Sequence, residues 1–201
     1  DNVAHDLRTP MTRLRSVAEY GLQAGEDKEK LQSALSDCLE EADRVLAMLK
    51  IMMSVAEAET GMMKLEYRTF ELAGDLADIV ELYSYSAEDE KIQVTLRTEE
   101  QVWLEGDKTR LSQVWANLLD NAIKYNRSGG TVDIKASQDG EVVKIHFSDN
   151  GIGISSQEKE KIWERLYRGD RSRSRQGLGL GLNYVRAVVE AHQGVISVES
   201  S

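Results

Sequence analysis

The chain has 201 residues, of which 41% are hydrophobic and 30% are charged, as in soluble globular proteins. Its net charge of -10 argues against a general nucleic-acid surface, which needs a basic face, and no apolar run approaches the roughly 20 residues of a membrane-spanning helix. The single cysteine, Cys38, is expected to be a reduced packing residue. The opening DNVAHDLRTP has no signal region, so we expect a fragment whose sensor or anchor lies elsewhere.

Residues 1–60 carry the spacing of two paired helices. Apolar residues alternate steps of four and three, the period of a coiled-coil seam, at Leu31, Leu35, Cys38, Ala42, Val45, Leu49, Met52 and Ala56. A shorter stripe, Ala4, Leu7, Met11, Leu14 and Ala18, precedes Gly21 and a polar turn. We predict a helical hairpin whose second helix runs from about Lys28 to about Glu59. Because a single hairpin would leave much of the apolar stripe exposed to solvent, we also predict that two copies pair into a four-helix bundle.

The first helix also carries a polar stripe away from its apolar side, formed by His5, Arg8, Thr9 and Thr12. An exposed neutral imidazole is a nucleophile, and the adjacent Asp6 is placed to accept or orient the ring proton. Pro10 removes an amide donor inside the helix, so we expect a kink beside His5.

After Gly61 the periodicity changes to that of strands alternating with helices. Residues 92–96, 132–136 and 143–147 alternate as half-buried strands, and helical patterns span 72–83 and 111–122. This order predicts an α+β fold, in which the hairpin of residues 1–60 is followed by an α/β sandwich, a mixed sheet covered by helices, over residues 64–201.

Polar residues in this second part form three groups. The helix capped by Asp107 carries Gln113, Asn117, Asn121 and Lys124 on one polar stripe, able to hold a hydrated metal and phosphate oxygens. Asp149 ends a strand and precedes glycines, a pattern able to bind an amino group of a heterocycle. The glycines of GLGLGL (177–182) precede a helix, where bare amides favour phosphate, although neither a P-loop nor a dinucleotide-binding pattern is present.

Arginines fill the segment between the two glycine motifs, where this acidic chain would attract a triphosphate. They are Arg165, Arg168, Arg171, Arg173 and Arg175. Two further histidines, His146 and His192, have no motif around them, and we interpret both as structural.

Five motifs in this order resemble bacterial two-component sensor histidine kinases: HDLRTP their H box, NLLDNAIKY their N box, then DNGIG, WERLYR and GLGLGL. The resemblance covers nearly the whole chain; it departs in Trp163, which stands in the usual Phe position, and at both ends, which look truncated. It implies a GHKL-type ATP-binding domain after the phosphoacceptor hairpin.

The resemblance also implies roles for individual residues. His5 would be the phosphoacceptor, Asp6 would assist autophosphorylation and Thr9 would support dephosphorylation of the partner. Asn121 would ligate Mg²⁺, Lys124 would approach the phosphates and Asp149 would recognise the adenine amino group. The other residues expected to bind ATP are Asn117, Tyr125, Gly151, Gly153, Arg165, Arg168, Gly177, Gly179, Leu180, Gly181 and Leu182.

The function so implied is autophosphorylation of His5 by Mg-ATP in a homodimer, then transfer to an aspartate of a response regulator, with phosphatase activity toward that regulator. No nucleic acid is expected as a partner, and the chain would be the cytosolic portion of a membrane-anchored sensor. Two alternatives stay open: an ATP-driven dimer clamp of the same nucleotide-binding fold, and an interaction scaffold with a degenerate nucleotide site. The pattern also leaves open whether ATP in one protomer reaches His5 of the same or the other subunit.

Overall fold

The computed structural model describes residues 2–25, 27–99, 101–164, 167 and 179–200, with only the backbone for residues 2–6. Contacts divide the chain into two compact units, Asp1–Ala56 and Glu57–Ser201. Among the described residues, no helix is long and apolar enough to cross a membrane.

The first unit is the predicted helical hairpin. Helix α1 spans Asn2–Leu22, and α2 spans Lys28–Glu59, the range predicted for the second helix. The turn between them contains Gly25, whose φ of 59° suits a glycine. Helix α1 continues through Pro10, which is buried.

The two helices of the hairpin run antiparallel. The Cys38 thiol lies 3.8 Å from the Leu14 carbonyl, and Arg13 Nε lies 3.7 Å from Glu41 Oε2. Near the turn the two helices are in close contact, since a Cβ added at Gly21 would lie 2.9 Å from that of Ala34. Cys38 therefore packs inside the hairpin as a free thiol, as predicted.

The stripe of α2 that the single chain buries differs from the predicted seam. It recurs every seven residues, at Ala34, Glu41, Met48 and Val55. The predicted seam instead leaves Leu31, Leu35 and Leu49 exposed. The predicted stripe of α1 is likewise only partly covered, since Met11 and Ala18 are exposed. One helix can cover only one stripe of its neighbour, so a second apolar stripe remains in water.

The second unit contains a mixed three-stranded sheet, as predicted. Its strands are β2 (Gln93–Thr98), β4 (Thr131–Asp139) and β5 (Val142–Asp149), in the order β2-β4-β5. Strands β2 and β4 are parallel, and β4 and β5 are antiparallel. A separate antiparallel pair, β1 (Arg68–Glu71) with β3 (Trp103–Gly106), was not predicted.

The described residues of this unit also form four helices: α3 (Leu72–Leu82), α4 (Ser84–Asp89), α5 (Lys108–Lys124) and α6 (Gly181–Ala191). A 3₁₀ turn spans Lys161–Trp163. Helix α5 buries one apolar face, on which Trp115 stacks against Phe147 of β5 with ring centroids 6.3 Å apart. Leu119 is fully buried on that face, and the neighbouring Leu118 is half-buried. Packing of this face fixes the opposite, polar stripe of α5.

Candidate functional site

The start of α5 is anchored by Asp107. Its Oδ1 accepts a hydrogen bond of 3.1 Å from the amide of Arg110, which confirms the predicted N-cap, and its Oδ2 accepts one of 3.1 Å from the amide of Glu66. Burial raises the pKa of Asp107, but these two amides and the positive charge of Arg110 outweigh it and hold the pKa below its usual value. The cap is therefore an ionised carboxylate that also binds the segment before β1.

His192 joins the end of α6 to the same cap. The Asp107 amide donates to His192 Nε2 at 3.0 Å, so Nε2 is unprotonated and Nδ1 carries the hydrogen that points at the Val188 carbonyl, 2.8 Å away. Gly106 makes room, since a Cβ there would lie 3.1 Å from the His192 ring. This supports the structural interpretation of His192 and ties the two helices of the site together.

The polar stripe of α5 meets the start of α6 at Gly181. A Cβ at Gly181 would lie 2.8 Å from Asn117 Oδ1 and 3.7 Å from Asn121 Nδ2. Asn117 is oriented by its Nδ2, which donates to the Gln113 carbonyl at 2.7 Å. The structure thus brings together two carboxamides and a helix N-terminus that the sequence placed in separate motifs.

Tyr184 of α6 is hydrogen-bonded to the polar stripe of α5 next to this junction. Its hydroxyl donates to Gln113 Oε1 at 3.0 Å, and burial raises its pKa to about 12, with the Arg110 charge opposing that rise. Leu180, directly before α6, is buried, and Leu182 is half-buried. Gly179 has a φ of 66°, a conformation suited to glycine.

Helix α5 ends at Lys124, whose Nζ lies 5.8 Å from the centre of the Tyr125 ring. The carbonyl of Tyr125 accepts the amide of Ile152 at 3.0 Å, and a Cβ at Gly151 would lie 2.4 Å from that carbonyl oxygen. Only a glycine fits at this contact, so the end of α5 and the turn after β5 lie directly against each other.

The turn after β5 orients Asp149. The amide of Gly151 donates to Asp149 Oδ1 at 2.8 Å, and Gly153 has a φ of 67°. Among the residues that the structure describes, no group donates to Asp149 Oδ2. One oxygen of an exposed carboxylate is therefore fixed, and the other can accept from a ligand.

Other predicted site residues are described less fully. His5 and Asp6 lie on α1, but their side chains are outside the described part, and Arg165, Arg168, Arg171, Arg173, Arg175 and Gly177 lie outside it altogether. Arg8, Thr9 and Thr12 are exposed, as their stripe predicted. Trp163 accepts a 2.9 Å hydrogen bond on its carbonyl from Asn183 Nδ2 of α6.

Two residues of the site were missed by the sequence analysis. Arg127 Nε donates to the Asn150 carbonyl at 2.6 Å, and Asn126, almost completely buried, donates from Nδ2 to the Thr131 carbonyl at 3.2 Å. Both follow directly on the polar stripe of α5, and this adjacency was the only signal available.

Comparison with known proteins identifies both units. Residues 1–61 match the His Kinase A (phospho-acceptor) domain, and residues 106–201 match the histidine kinase-, DNA gyrase B- and HSP90-like ATPase. Sensor protein IrlS of Burkholderia pseudomallei is 31% identical over 99% of this chain and 43% of its own length. Sensor histidine kinase CusS of Escherichia coli is 29% identical over 99% of this chain and 42% of its own.

A solved structure shows the same fold. Acinetobacter baumannii histidine kinase AdeS superposes with a TM-score of 0.75 and 22% identity over 93% of this chain and 86% of that one. The chain spans about two fifths of the length of the curated relatives that it matches. With a phospho-acceptor domain followed by an ATPase domain of this type, the chain belongs to the sensor histidine kinases.

Proposed function

We propose that this chain uses Mg-ATP to phosphorylate its own His5 and then passes the phosphoryl group to an aspartate of a response regulator. The observation that carries the proposal is the junction of Gly181 with Asn117 and Asn121, where a helix N-terminus and two carboxamides converge. Amide hydrogens at such a terminus favour phosphate oxygens. The unit that precedes it matches a phospho-acceptor domain, which supplies the acceptor.

ATP is held at two ends in this proposal. The open oxygen of Asp149 accepts from the adenine amino group, while Gly151 and Gly153 let the backbone approach the base. At the other end, Lys124, Arg165 and Arg168 offset the negative charge of the phosphates, and backbone amides at glycines 177, 179 and 181 donate to phosphate oxygens. Tyr125, Leu180 and Leu182 line the space between.

The donor set at the junction fits a magnesium ion, which prefers oxygen ligands. Asn121 would supply a carboxamide oxygen, with Asn117 beside it. When bound, the ion supplies positive charge to the phosphate oxygens. The residues of the chain then position the nucleotide and keep the Asn117 carboxamide oriented through its bond to the Gln113 carbonyl.

In the transfer step, the lone pair of the neutral His5 imidazole attacks the γ-phosphorus. The bond from phosphorus to the bridging oxygen breaks, ADP leaves with that electron pair, and the ring N–H proton passes to Asp6. A regulator aspartate then attacks the phosphorus, the N–P bond breaks, and the imidazole regains a proton. Thr9, exposed on the same helix, would orient water for later hydrolysis of the acyl phosphate, the proposed phosphatase activity.

The assembly is proposed to be a homodimer, in which the exposed Leu31, Leu35 and Leu49 of one copy meet those of a second in a four-helix bundle. Residues 1–60 and 64–201 would move relative to each other about the intervening segment, where Gly61 has a φ of 67°. We further propose that the chain is the cytosolic part of a membrane-anchored sensor, and that a response regulator, not a nucleic acid, is its partner.

Incubation with Mg-ATP followed by mass spectrometry at neutral pH tests the proposal. We expect acid-labile phosphate on His5, and its loss in His5→Gln with nucleotide binding unchanged. His146→Gln, which alters an exposed imidazole on β5, is the matched control and should label normally. Full labelling of His5→Gln, or turnover of ATP without phosphohistidine, would contradict the proposal.

A further inference from the structure

One peptide group in the turn after β5 is hydrogen-bonded at both of its ends. Its carbonyl, on Asn150, accepts from Arg127 Nε at 2.6 Å. Its amide hydrogen, on Gly151, is donated to Asp149 Oδ1 at 2.8 Å. A guanidinium and a carboxylate are thus connected through a single rigid, planar unit.

The arginine at the start of this chain of hydrogen bonds has a fixed backbone. The Arg127 amide donates to Asn126 Oδ1 at 2.9 Å, and Asn126 is 2% exposed. The other end of the Asn126 carboxamide donates to the Thr131 carbonyl, and the Thr131 amide donates to Asn150 Oδ1 at 2.8 Å. These bonds hold Arg127 and Asn150 against the same point at the start of β4.

The donor to the Asn150 carbonyl is cationic, so its effect passes through the peptide from Arg127 toward Asp149. Hydrogen bonds from an ionised group are shorter and stronger than neutral ones, and the distance of 2.6 Å agrees with that. A donor on the carbonyl oxygen polarises the peptide, which strengthens the bond that its amide makes on the other side. Arg127 therefore acts on the position of Asp149 Oδ1 without touching the carboxylate.

We propose that Arg127 is a positioning residue for base recognition, which holds the Asp149 carboxylate through the Asn150–Gly151 peptide so that its second oxygen faces the nucleotide base. This inference rests on the proposed function, in which Asp149 accepts from the adenine amino group. It extends that function because it assigns selectivity for the base to a residue outside the motifs.

A simpler role for Arg127 makes a different prediction. An exposed guanidinium also attracts any nucleotide through the charge of its phosphates. That attraction would be equal for nucleotides that differ only in the base. A positioning role acts only on ligands whose base has the amino group that Asp149 recognises.

Titration calorimetry with ADP and with inosine diphosphate, which has a carbonyl in place of the amino group, separates the two roles. In Arg127→Ala we expect affinity for ADP to fall about fivefold, in line with loss of one charged hydrogen bond at an exposed site, and affinity for inosine diphosphate to stay within about twofold. Arg97→Ala, which removes another exposed arginine, on β2, is the matched control and should change neither affinity. An equal loss for both nucleotides, or no loss for either, would overturn the proposal.

Two further measurements keep the inference separate from the function on which it rests. The amide proton of Gly151 should shift upfield in nitrogen–proton correlation spectra of nucleotide-free Arg127→Ala, and Arg127→Lys, which keeps a cationic donor, should recover most of that shift. An unchanged Gly151 signal overturns the connection. Asp149→Asn should remove the preference for ADP; if it does not, base recognition by Asp149 is wrong, and the Gly151 signal still decides whether Arg127 acts on the turn.

Discussion

The hairpin and the nucleotide-binding unit differ in how completely a single chain builds them. In the hairpin, the predicted seam of α2 leaves leucines such as Leu35 exposed, at 57% of the side chain's possible area. In the second unit, the polar residues of the site are held by hydrogen bonds from its own backbone, as at Asp107 and Asp149. The described residues of the proposed nucleotide site are therefore held in place by bonds within one chain, whereas the described hairpin leaves apolar surface exposed.

The largest effect on nucleotide binding should come from closing the junction between α5 and α6. Gly181→Ala would put a methyl group 2.8 Å from Asn117 Oδ1, so one side must shift, and we expect affinity for ADP to fall about tenfold or more. Titration calorimetry measures the affinity for ADP, and circular dichroism should show that the hairpin is intact. Gly74→Ala in α3 is the control, since its new methyl group meets only Glu71 Oε2, which caps α3 and is not a residue of the proposed site; a similar loss of affinity there would contradict the interpretation.

A substitution in α2 tests the hairpin without touching the second unit. Leu35→Glu places a charge in the exposed seam, and removing one leucine from each copy of a symmetric interface costs about 1.5–3 kcal/mol per copy. We expect the dissociation constant of the dimer to rise about a hundredfold or more, by sedimentation, with ADP affinity unchanged. Leu82→Glu, at an exposed leucine of α3, should leave the dimer intact. A dimer of wild-type stability in Leu35→Glu would show that the seam is not the interface.

Removing one helix cap from each unit should have a smaller effect, on the free energy of unfolding. Asp107→Ala should lower the free energy of unfolding by about 2 kcal/mol, because it removes the cap of α5 and the bond to Glu66. Asp27, whose Oδ1 accepts the Lys30 amide before α2, makes the same cap at the surface, so Asp27→Ala should cost less. Urea unfolding measures both, and an equal cost would mean that the connections of Asp107 add nothing.

The charge of Asp107 can be tested through pH. Its folded pKa is depressed, so its stabilisation is present above the unfolded value of about 3.9 and is lost as the pH falls through the folded value. Asp107→Asn keeps a capping side chain without the charge. The difference in unfolding free energy between wild type and Asp107→Asn should therefore be constant from pH 5 to 7 and narrow progressively below about pH 4; a difference that grows on acidification would contradict the sign.

The smallest effect is expected at Tyr184. Tyr184→Phe removes the hydroxyl and with it the hydrogen bonds to Gln113 and Arg110, which together cost about 1 kcal/mol. Because the folded pKa is raised to about 12, the contribution of the hydroxyl is complete below the unfolded value of about 10 and is lost as the pH rises toward 12. Urea unfolding at pH 7 and 11 checks both statements, and a difference that is larger at pH 11 would refute them.

The same two regions show what a sequence can predict. The ends of α2, the three strands of the mixed sheet and the Asp107 cap were predicted because each depends on residues close along the chain. Strands β1 and β3 were missed because four residues are too few to show an alternating pattern.

Contacts between distant segments account for the other differences. The His192 side chain bonds to the backbone amide of Asp107, and the Arg127 side chain bonds to the backbone carbonyl of Asn150. Every residue has these backbone groups, so the sequence does not show which of them a distant side chain will contact. The stripe of α2 that the single chain buries was not predicted, because only contact with α1 decides which face of the helix is covered.

The parallel pairing of β2 with β4 has a consequence for how the chain acquires its structure. Gln93 aligns with Thr131, so the chain must close a loop of about forty residues before this ladder gains any bonds. The antiparallel helices of the hairpin need only a short turn and leave the ribosome before the second unit. The exposed leucines of α2 are therefore available while the sheet is still incomplete, so the proposed dimer can form before either chain holds a nucleotide.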